Sequence, residues 1–227
     1  MSQYHLKKYG RSDITIGDII ISPVECVRNL GVLMDHHMSM DKQVTAICKA
    51  CNFHLYRLSS IRRYLTTDAT KSAVQALITS RLDYCNSLLA NIPDKQIRRL
   101  KSIQHKSARL ITRTTLHEHI TPVLKQLHWL PVELRIIYKL MVLVYKSIHG
   151  TSPSYLSKLI EPKNRDTRLR QPSELDLHCP VPRKEVGAGA FGVAGPAAWN
   201  KLSRSLRESA SLSSFKKELK THLFTMY

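Results

Sequence analysis

Between Lys95 and Leu116 the chain carries a dense run of Lys and Arg, with no Asp or Glu among them. Advancing 100° per residue from Ile97, the helical step, places Arg98, Arg99, Lys101, His105, Lys106, Arg109 and Arg113 on an arc from roughly 40° to 200°. Leu100, Ile103, Gln104, Ser107, Ala108, Leu110 and Ile111 fill the remainder. A helix here has one face to pack and one continuous cationic face. Phosphates present closely spaced negative charge along a groove, and a rigid row of cations displaces the counterions condensed on it. Arg adds forked hydrogen bonds to phosphate oxygens. A merely solvated face usually alternates sign to form ion pairs, and this one does not. These seven residues form the candidate nucleic-acid-binding set. Arg98, Lys101, Arg109 and Arg113 are the expected phosphate contacts, with His105 and Lys106 in support. About five contacts predict that log K falls against log salt with a slope near −4. Arg57-Arg62-Arg63 and Lys216-Lys217-Lys220 either extend the track or are ordinary charged surface.

Other constellations are weaker. Cys48-Lys49-Ala50-Cys51 has the spacing of a zinc half-site, with His54 one turn on. A structural zinc site needs four ligands, and no second CxxC or HxxxH accompanies it. Both cysteines also fall on an apolar helical stripe, where Cys acts as a small hydrophobe. Gly187-Ala188-Gly189-Ala190-Phe191-Gly192 matches GxGxxG, but Pro180, Pro182 and Pro196 surround it where a dinucleotide fold needs a strand and a helix N-terminus. A flexible turn is the expectation. His117-Glu118-His119 and His36-His37 lack ligand spacing. Trp129 and Trp199, next to Pro131 and near Pro196, suit core anchors better than base-stacking platforms. There is no Asp-Asp pair for two-metal chemistry, no GxxxxGK[ST] loop, no GxSxG elbow and no HExxH helix. No catalytic residues, cofactor or metal are expected.

The 227 residues suffice for one large domain or two small ones, and 43% hydrophobic content suffices for a core. Thirty-five Lys and Arg against 17 Asp and Glu give +18. Such an excess favours polyanionic partners, nucleic acid before an anionic membrane. Five scattered cysteines argue against a disulfide framework and for a reducing compartment. Met1 to Arg11 is polar and basic, unlike a signal peptide. The most apolar run, Leu134 to Ile148, is short and broken by Arg135, Lys139 and Lys146. An intracellular protein of nucleus or cytoplasm, not secreted and without a membrane or small-molecule partner, is expected; a protein partner is left open.

The elements that must position the basic face come next. Ile14, Ile16, Ile19 and Ile21 flank the turn signal Gly17-Asp18, and Val27 to Met34 follows after Pro23, so a small β-hairpin or meander is expected. Ser39 or Asp41 caps a helix with the stripe Val44, Ile47, Cys51, Leu55 and Leu58. Thr67 caps a second, with Ala73, Leu77 and Tyr84 on one face. Pro93-Asp94 opens the basic helix, which runs to about Arg113. Thr121-Pro122 and Leu130-Pro131 open two more, the second ending at Gly150. A short helix follows Pro153. Glu161 to Gly195 is punctuated by Pro162, Pro172, Pro180 and Pro182 and by four glycines, and is expected to be irregular, with short strands around Leu175 to Val181. Two helices close the chain: Ala197 to Glu208, and one from Ser214 with Leu212, Phe215, Leu219 and Leu223 as its stripe. The fold class expected is mainly α, with three parts: residues 1–38 as a β-hairpin, 39–150 as a helical bundle, and 151–227 as an irregular α+β module.

From about Val27 onward the chain resembles one family. Asn29-Leu30-Gly31-Val32-Leu33-Met34-Asp35 is similar to the block just past the catalytic palm of non-LTR retrotransposon (LINE, jockey-like) reverse transcriptases. Thr79-Ser80-Arg81-Leu82-Asp83-Tyr84-Cys85-Asn86 resembles a signature of their thumb. Glu118 to Leu124 with Leu127-His128-Trp129-Leu130-Pro131-Val132 resembles a second. Ala190 to Asn200 with Phe215 to Phe224 resembles a third, at the usual C-terminal end. The blocks stand in family order over most of the chain. Ser203 departs from the Pro often found after Trp-Asn-x-Leu, and Met1 to Arg11 fits less well.

The resemblance implies the last palm strands, a thumb that holds a template–primer duplex in a basic groove, and a downstream segment. The family's catalytic aspartates and endonuclease lie upstream of the matched blocks, so no RNA-directed DNA polymerase activity carries over. The expectation is a non-catalytic C-terminal remnant or fragment, at most binding RNA, an RNA–DNA hybrid or DNA by its backbone. The alternatives are a helical protein-interaction module and a transposon-derived fragment without function.

Overall fold

A computed structural model describes residues 13–163, 175–183 and 185–227. The expectations placed on Met1 to Arg11 and on Pro172 lie outside these residues. The protein is mainly helical, with a small region of antiparallel hairpins near the start. It divides into two compact units, one ending at Gln43 and the other spanning Val44–Tyr227.

In the first unit, β1 (Ile14–Ile16) pairs antiparallel with β2 (Ile19–Ile21). Strand β3 (Cys26–Asn29) pairs with β4 (Val32–Asp35). The two hairpins form separate two-stranded sheets rather than one meander. Turn chemistry accounts for both. Gly17, at φ +60°, occupies the first central position of a two-residue turn; Leu30 and Gly31, at φ +45° and +83°, give the doubly left-handed turn that suits strand twist. The Asp35 carboxylate then organises the next bend. It accepts from the backbone of His37, Ser39 and Met40 and from the Ser39 hydroxyl. Partial burial acts to raise its pKa, but these hydrogen bonds outweigh that and hold it below the ordinary value.

Helix α1 (Asp41–Ile61) leads into the second unit. Its expected stripe of Val44, Ile47, Cys51, Leu55 and Leu58 is buried throughout. Helix α2 (Thr67–Val74) is capped by Thr66, whose hydroxyl accepts from Ala69 N, one residue before the cap expected. It continues through a π-helical turn, Gln75–Thr79, into α3 (Ser80–Asp83). The buried face is Thr70, Val74, Ile78 and Leu82, not Ala73, Leu77 and Tyr84. A π turn widens the helical repeat beyond 3.6, so a strict four-residue spacing stays on one face.

Helix α4 (Asp94–Thr112) follows, with Arg113 in the left-handed conformation as its C-cap. Next come α5 (Ile120–Gln126), α6 (Val132–Ile148) and the short α7 (Ser154–Ser157). His119, not Thr121, is the N-cap of α5. Leu177 forms an isolated antiparallel bridge with Pro162. Helix α8 (Phe191–Trp199) starts six residues before the helix expected at Ala197, and the chain breaks before α9 (Arg204–Arg207). Helix α10 (Leu212–Thr225) closes the chain; the Ser211 hydroxyl caps it by accepting from Ser214 N.

One apolar core joins α6 to α8 and α10. Tyr145 stacks on Phe215 at 4.5 Å, Trp199 lies 5.8 Å from Phe215, and Leu219 and Leu223 complete the α10 stripe. This core runs across residue 150, where the sequence suggests a boundary. Residues 151–227 therefore share their packing with α6 instead of forming a module with its own interior.

Candidate nucleic-acid interface

Helix α4 is amphipathic in the sense expected. Leu100, Ile103, Gln104, Ser107, Ala108 and Ile111 are buried. Helix α2 packs on one flank, and α5 and α6 on others. Gln104 donates to the Leu130 carbonyl, which ties the buried side of α4 to the segment entering α6. No acidic side chain interrupts Lys95 to Leu116. The outward face is cationic, but its seven candidate residues do not behave alike.

Arg98, Lys106 and Arg113 are exposed. Arg98 makes one long hydrogen bond, 3.4 Å, to its own helix at Asp94 O. Lys101 forms an ion pair of 2.5 Å with Glu133 in the first turn of α6. Its charge is therefore answered internally, and it leaves the set of free phosphate contacts. Arg99 donates to Gln96 and to the Thr45 hydroxyl of α1. Arg109 turns onto the loop after α4, donating to the carbonyls of Thr115 and Glu118. That loop is closed by Glu118, whose carboxylate accepts from Thr115 N and Oγ1. The donors of Arg109 are thus occupied by carbonyls. The pKa of His105 is lowered first by burial, then by Arg109 and Lys101, against the pull of Glu133. The imidazole is neutral near pH 7 and adds no charge to the face.

Lys95 was not among the candidates, although its helical angle, about 160° on the same wheel, lies within the basic arc. It is exposed. Lys95, Arg98, Ser102 and Lys106 thus form the outermost stripe, spaced by three or four residues along a helix about 28 Å long, and Arg113 continues it seven residues on at the C-cap. The spacing alone was enough to find Lys95.

The second basic cluster resolves into different roles. Arg62 is buried, and its guanidinium donates to the carbonyls of Leu110, Ile111 and Leu65. It satisfies the last turn of α4, where helix carbonyls lack partners. Arg57 and Arg63 are exposed, and Arg63 lies 4.6 Å over the Tyr64 ring. Near the C-terminus, Lys217 and Lys220 are exposed, and Lys220 sits 5.8 Å from the Phe224 ring.

Several other sequence features turn out to be architectural. Cys48 and Cys51 are buried thiols, and burial pushes Cys51 up to about 11. The glycine run, expected as a flexible turn, is a 3-10 helix (Glu185–Gly189) leading into α8, and it is closely packed. A Cβ on Gly189 would lie 2.6 Å from the Ala90 carbonyl oxygen, and one on Gly195 2.9 Å from Val144. Trp199 is a core anchor whose indole donates to Leu175 O, while the Asn200 amide brackets Leu177 at both N and O. Asp83 pairs with Arg135, beside a cavity of about 290 Å³ that Asn86, Trp129, Lys139 and Lys220 also line. Among the described residues, no group of three His, Cys, Asp or Glu could hold a metal ion. Among them, too, no helix is long and apolar enough to cross a membrane.

No family model, curated protein or solved structure matches this chain. Fold and site define a mainly helical protein that displays a cationic helix face, free of acid in sequence from Lys95 to Leu116, beside a second helix that carries Lys49 and Arg57.

Proposed function

We propose that this protein grips nucleic acid by its sugar-phosphate backbone through the outer stripe of α4, without catalysis of its own. The observation that carries the reading is the run of exposed Lys95, Arg98, Lys106 and Arg113, with Asp94 in the first turn of α4 as the helix's one acid and none from Lys95 to Leu116. A rigid helix loses little side-chain freedom beyond the contacts themselves, and its charge repeat favours a polyanion that also repeats. Under this reading the chain corresponds to the thumb and downstream region of a LINE-type reverse transcriptase. In support, the stretches quoted for that resemblance supply structural joints here: Asp83 to Arg135, Trp199 to Leu175 and Asn200 to Leu177.

A gel-shift titration on an RNA–DNA duplex at increasing salt tests it. Binding at low salt that weakens linearly in log–log form, and collapses in Arg98→Glu/Lys106→Glu, is the expected result. Absence of binding at low salt, or indifference to both charge reversals, rejects the reading. A magnesium-dependent primer extension by the isolated chain would reject its non-catalytic part.

One observation favours a second reading, a protein-interaction module. Ile14, Ile16, Ile19 and Ile21 share one face of the β1–β2 hairpin, and all are at least half exposed. Such a face suits an apolar protein partner. It predicts association that tolerates salt and is lost on Ile16→Lys.

A further inference from the structure

The outward side of α1 carries a second pattern. From Lys42 to Thr67 there is again no Asp or Glu. Lys49, Phe53, Tyr56 and Ser60 follow one another at four, three and four residues, which keeps them on one helical face. Arg57 adjoins them, and Arg63 and Tyr64 continue the row in the 3-10 turn after α1. Phe53, Tyr56 and Tyr64 are 59%, 74% and 72% exposed. Three large rings standing in water between Lys49, Arg57 and Arg63 are unlike an ordinary solvated face. The same helix already has a complete buried stripe on its other side.

This face adjoins the stripe of α4. Arg99 of α4 bonds Thr45 near the start of α1, and Arg62, just past the end of α1, bonds Leu110 and Ile111 near the end of α4. The two helices are therefore tied at both ends and run in the same direction. Thr45 is itself exposed, on the side of α1 that carries Lys49 and Tyr56. Resting on the reading above, we infer that the ligand is single-stranded nucleic acid, its phosphates on α4 and its bases stacked on Phe53, Tyr56 and Tyr64. Aromatic faces accept any base, and interleaved cations hold the strand between them. A duplex has its bases stacked internally, so it offers phosphates to α4 but nothing to these rings; it should bind no tighter than an abasic strand, and duplex binding as tight as that of oligothymidylate would overturn the inference. The acid-free charge argues for a polyanion over an apolar protein surface.

The test uses the full chain and three fluorescent probes of about 12 nucleotides: oligothymidylate, an abasic strand with the same phosphates, and a duplex. Oligothymidylate should bind roughly tenfold or more tighter than the abasic strand, and Phe53→Ala/Tyr56→Ala/Tyr64→Ala should erase that margin while leaving abasic binding unchanged. Tyr fluorescence should be quenched by the thymidylate strand alone. If thymidylate and abasic strands bind alike in the wild type, the stacking inference fails and the phosphate reading stands. If neither binds at low salt, the phosphate reading fails with it. Salt-resistant self-association lost in the aromatic variant, with strand binding intact, would assign the face to a second copy and overturn the inference. Because the rings are exposed, the variants should melt as the wild type does. A second pair, Tyr56→Trp and Phe53→Trp, should retain the margin, which a general structural defect would not.

Discussion

Asp83, at the end of α3, and Arg135, in the first turn of α6, form an ion pair that is only partly open to water. Burial pushes the Asp83 carboxyl above its ordinary value, with Arg135 pulling the other way. The folded chain thus holds this proton more tightly than the unfolded chain. Its contribution to stability is full below the ordinary carboxylate range and is lost as pH rises through the raised pKa. An asymmetry follows. Asp83→Asn keeps an acceptor and removes the penalised charge, so it should cost less than about 1 kcal/mol at pH 7. Arg135→Ala leaves a half-buried carboxylate unpaired and should cost about 1–2 kcal/mol, less than a fully buried pair would because Asp83 keeps part of its water. That loss should shrink toward pH 4 as Asp83 protonates. Urea denaturation of the two variants across pH checks both halves.

Arg62 and Arg63 are neighbours in sequence and opposites in use. Arg62 spends its donors on three carbonyls at the end of α4 and after α1, while Arg63 lies over Tyr64 in solvent. Arg62→Met should destabilise the protein by about 2–3 kcal/mol and expose the last amides of α4 to hydrogen exchange. Arg63→Met should leave both unchanged within error.

That contrast marks what the sequence could and could not yield. The α1 stripe and the basic face of α4 were legible because periodicity within one helix is local information. The neutralisation of Lys101 by Glu133 and the burial of Arg62 depend on which distant element arrives alongside, and a basic residue looks the same in either role. The face of α2 is set by the element that packs on it: Thr70 and Val74 are buried and Ala73 is not, a choice made before the π turn begins at Gln75 and not marked in the sequence. Trp199 as an anchor was legible from size and context. The glycines around it were misjudged as free, because close approach to Ala90 and Val144 is a tertiary fact.

Gly189→Ala tests that last point. Its Cβ would meet the backbone oxygen of Ala90, which cannot swing aside as a side chain can. A loss of about 1–3 kcal/mol is expected from the overpacking. Gly150→Ala meets no neighbour, but it sits at φ +66°, so its smaller cost is backbone strain alone, about 1 kcal/mol. Thermal melts of the two variants separate the mechanisms.

His105 should act on stability and not on binding. Its pKa is depressed, so the unfolded chain takes up a proton first as pH falls. The fold is therefore undisturbed above the ordinary histidine range, about 6.5, and loses stability below it, down to the depressed value. His105→Gln should flatten the stability profile on the acid side of pH 6.5 in urea titrations. The same variant should leave the salt slope of nucleic-acid binding at pH 7.5 unchanged, since a neutral ring releases no counterion.

The salt slope itself distinguishes the members of the basic face. Seven candidate residues would be worth more than four, but Lys101 is answered by Glu133 and His105 is neutral, while the donors of Arg99 and Arg109 are engaged within the protein. Lys95, Arg98, Lys106 and Arg113 remain fully presented. Four phosphate contacts on a single strand predict a slope of about −3, shallower than the value near −4 expected from sequence. Lys106→Ala should reduce the magnitude of the slope by about 0.7. Lys101→Ala should leave the slope unchanged, because Lys101 holds Glu133 rather than a phosphate; any loss of affinity then comes from the Glu133 carboxylate left unpaired beside the face. Fluorescence anisotropy at graded salt gives all three numbers. Equal effects of Lys101→Ala and Lys106→Ala would mean that the ion pair with Glu133 opens when the ligand binds, and the outer stripe would then have to be redrawn to include Lys101.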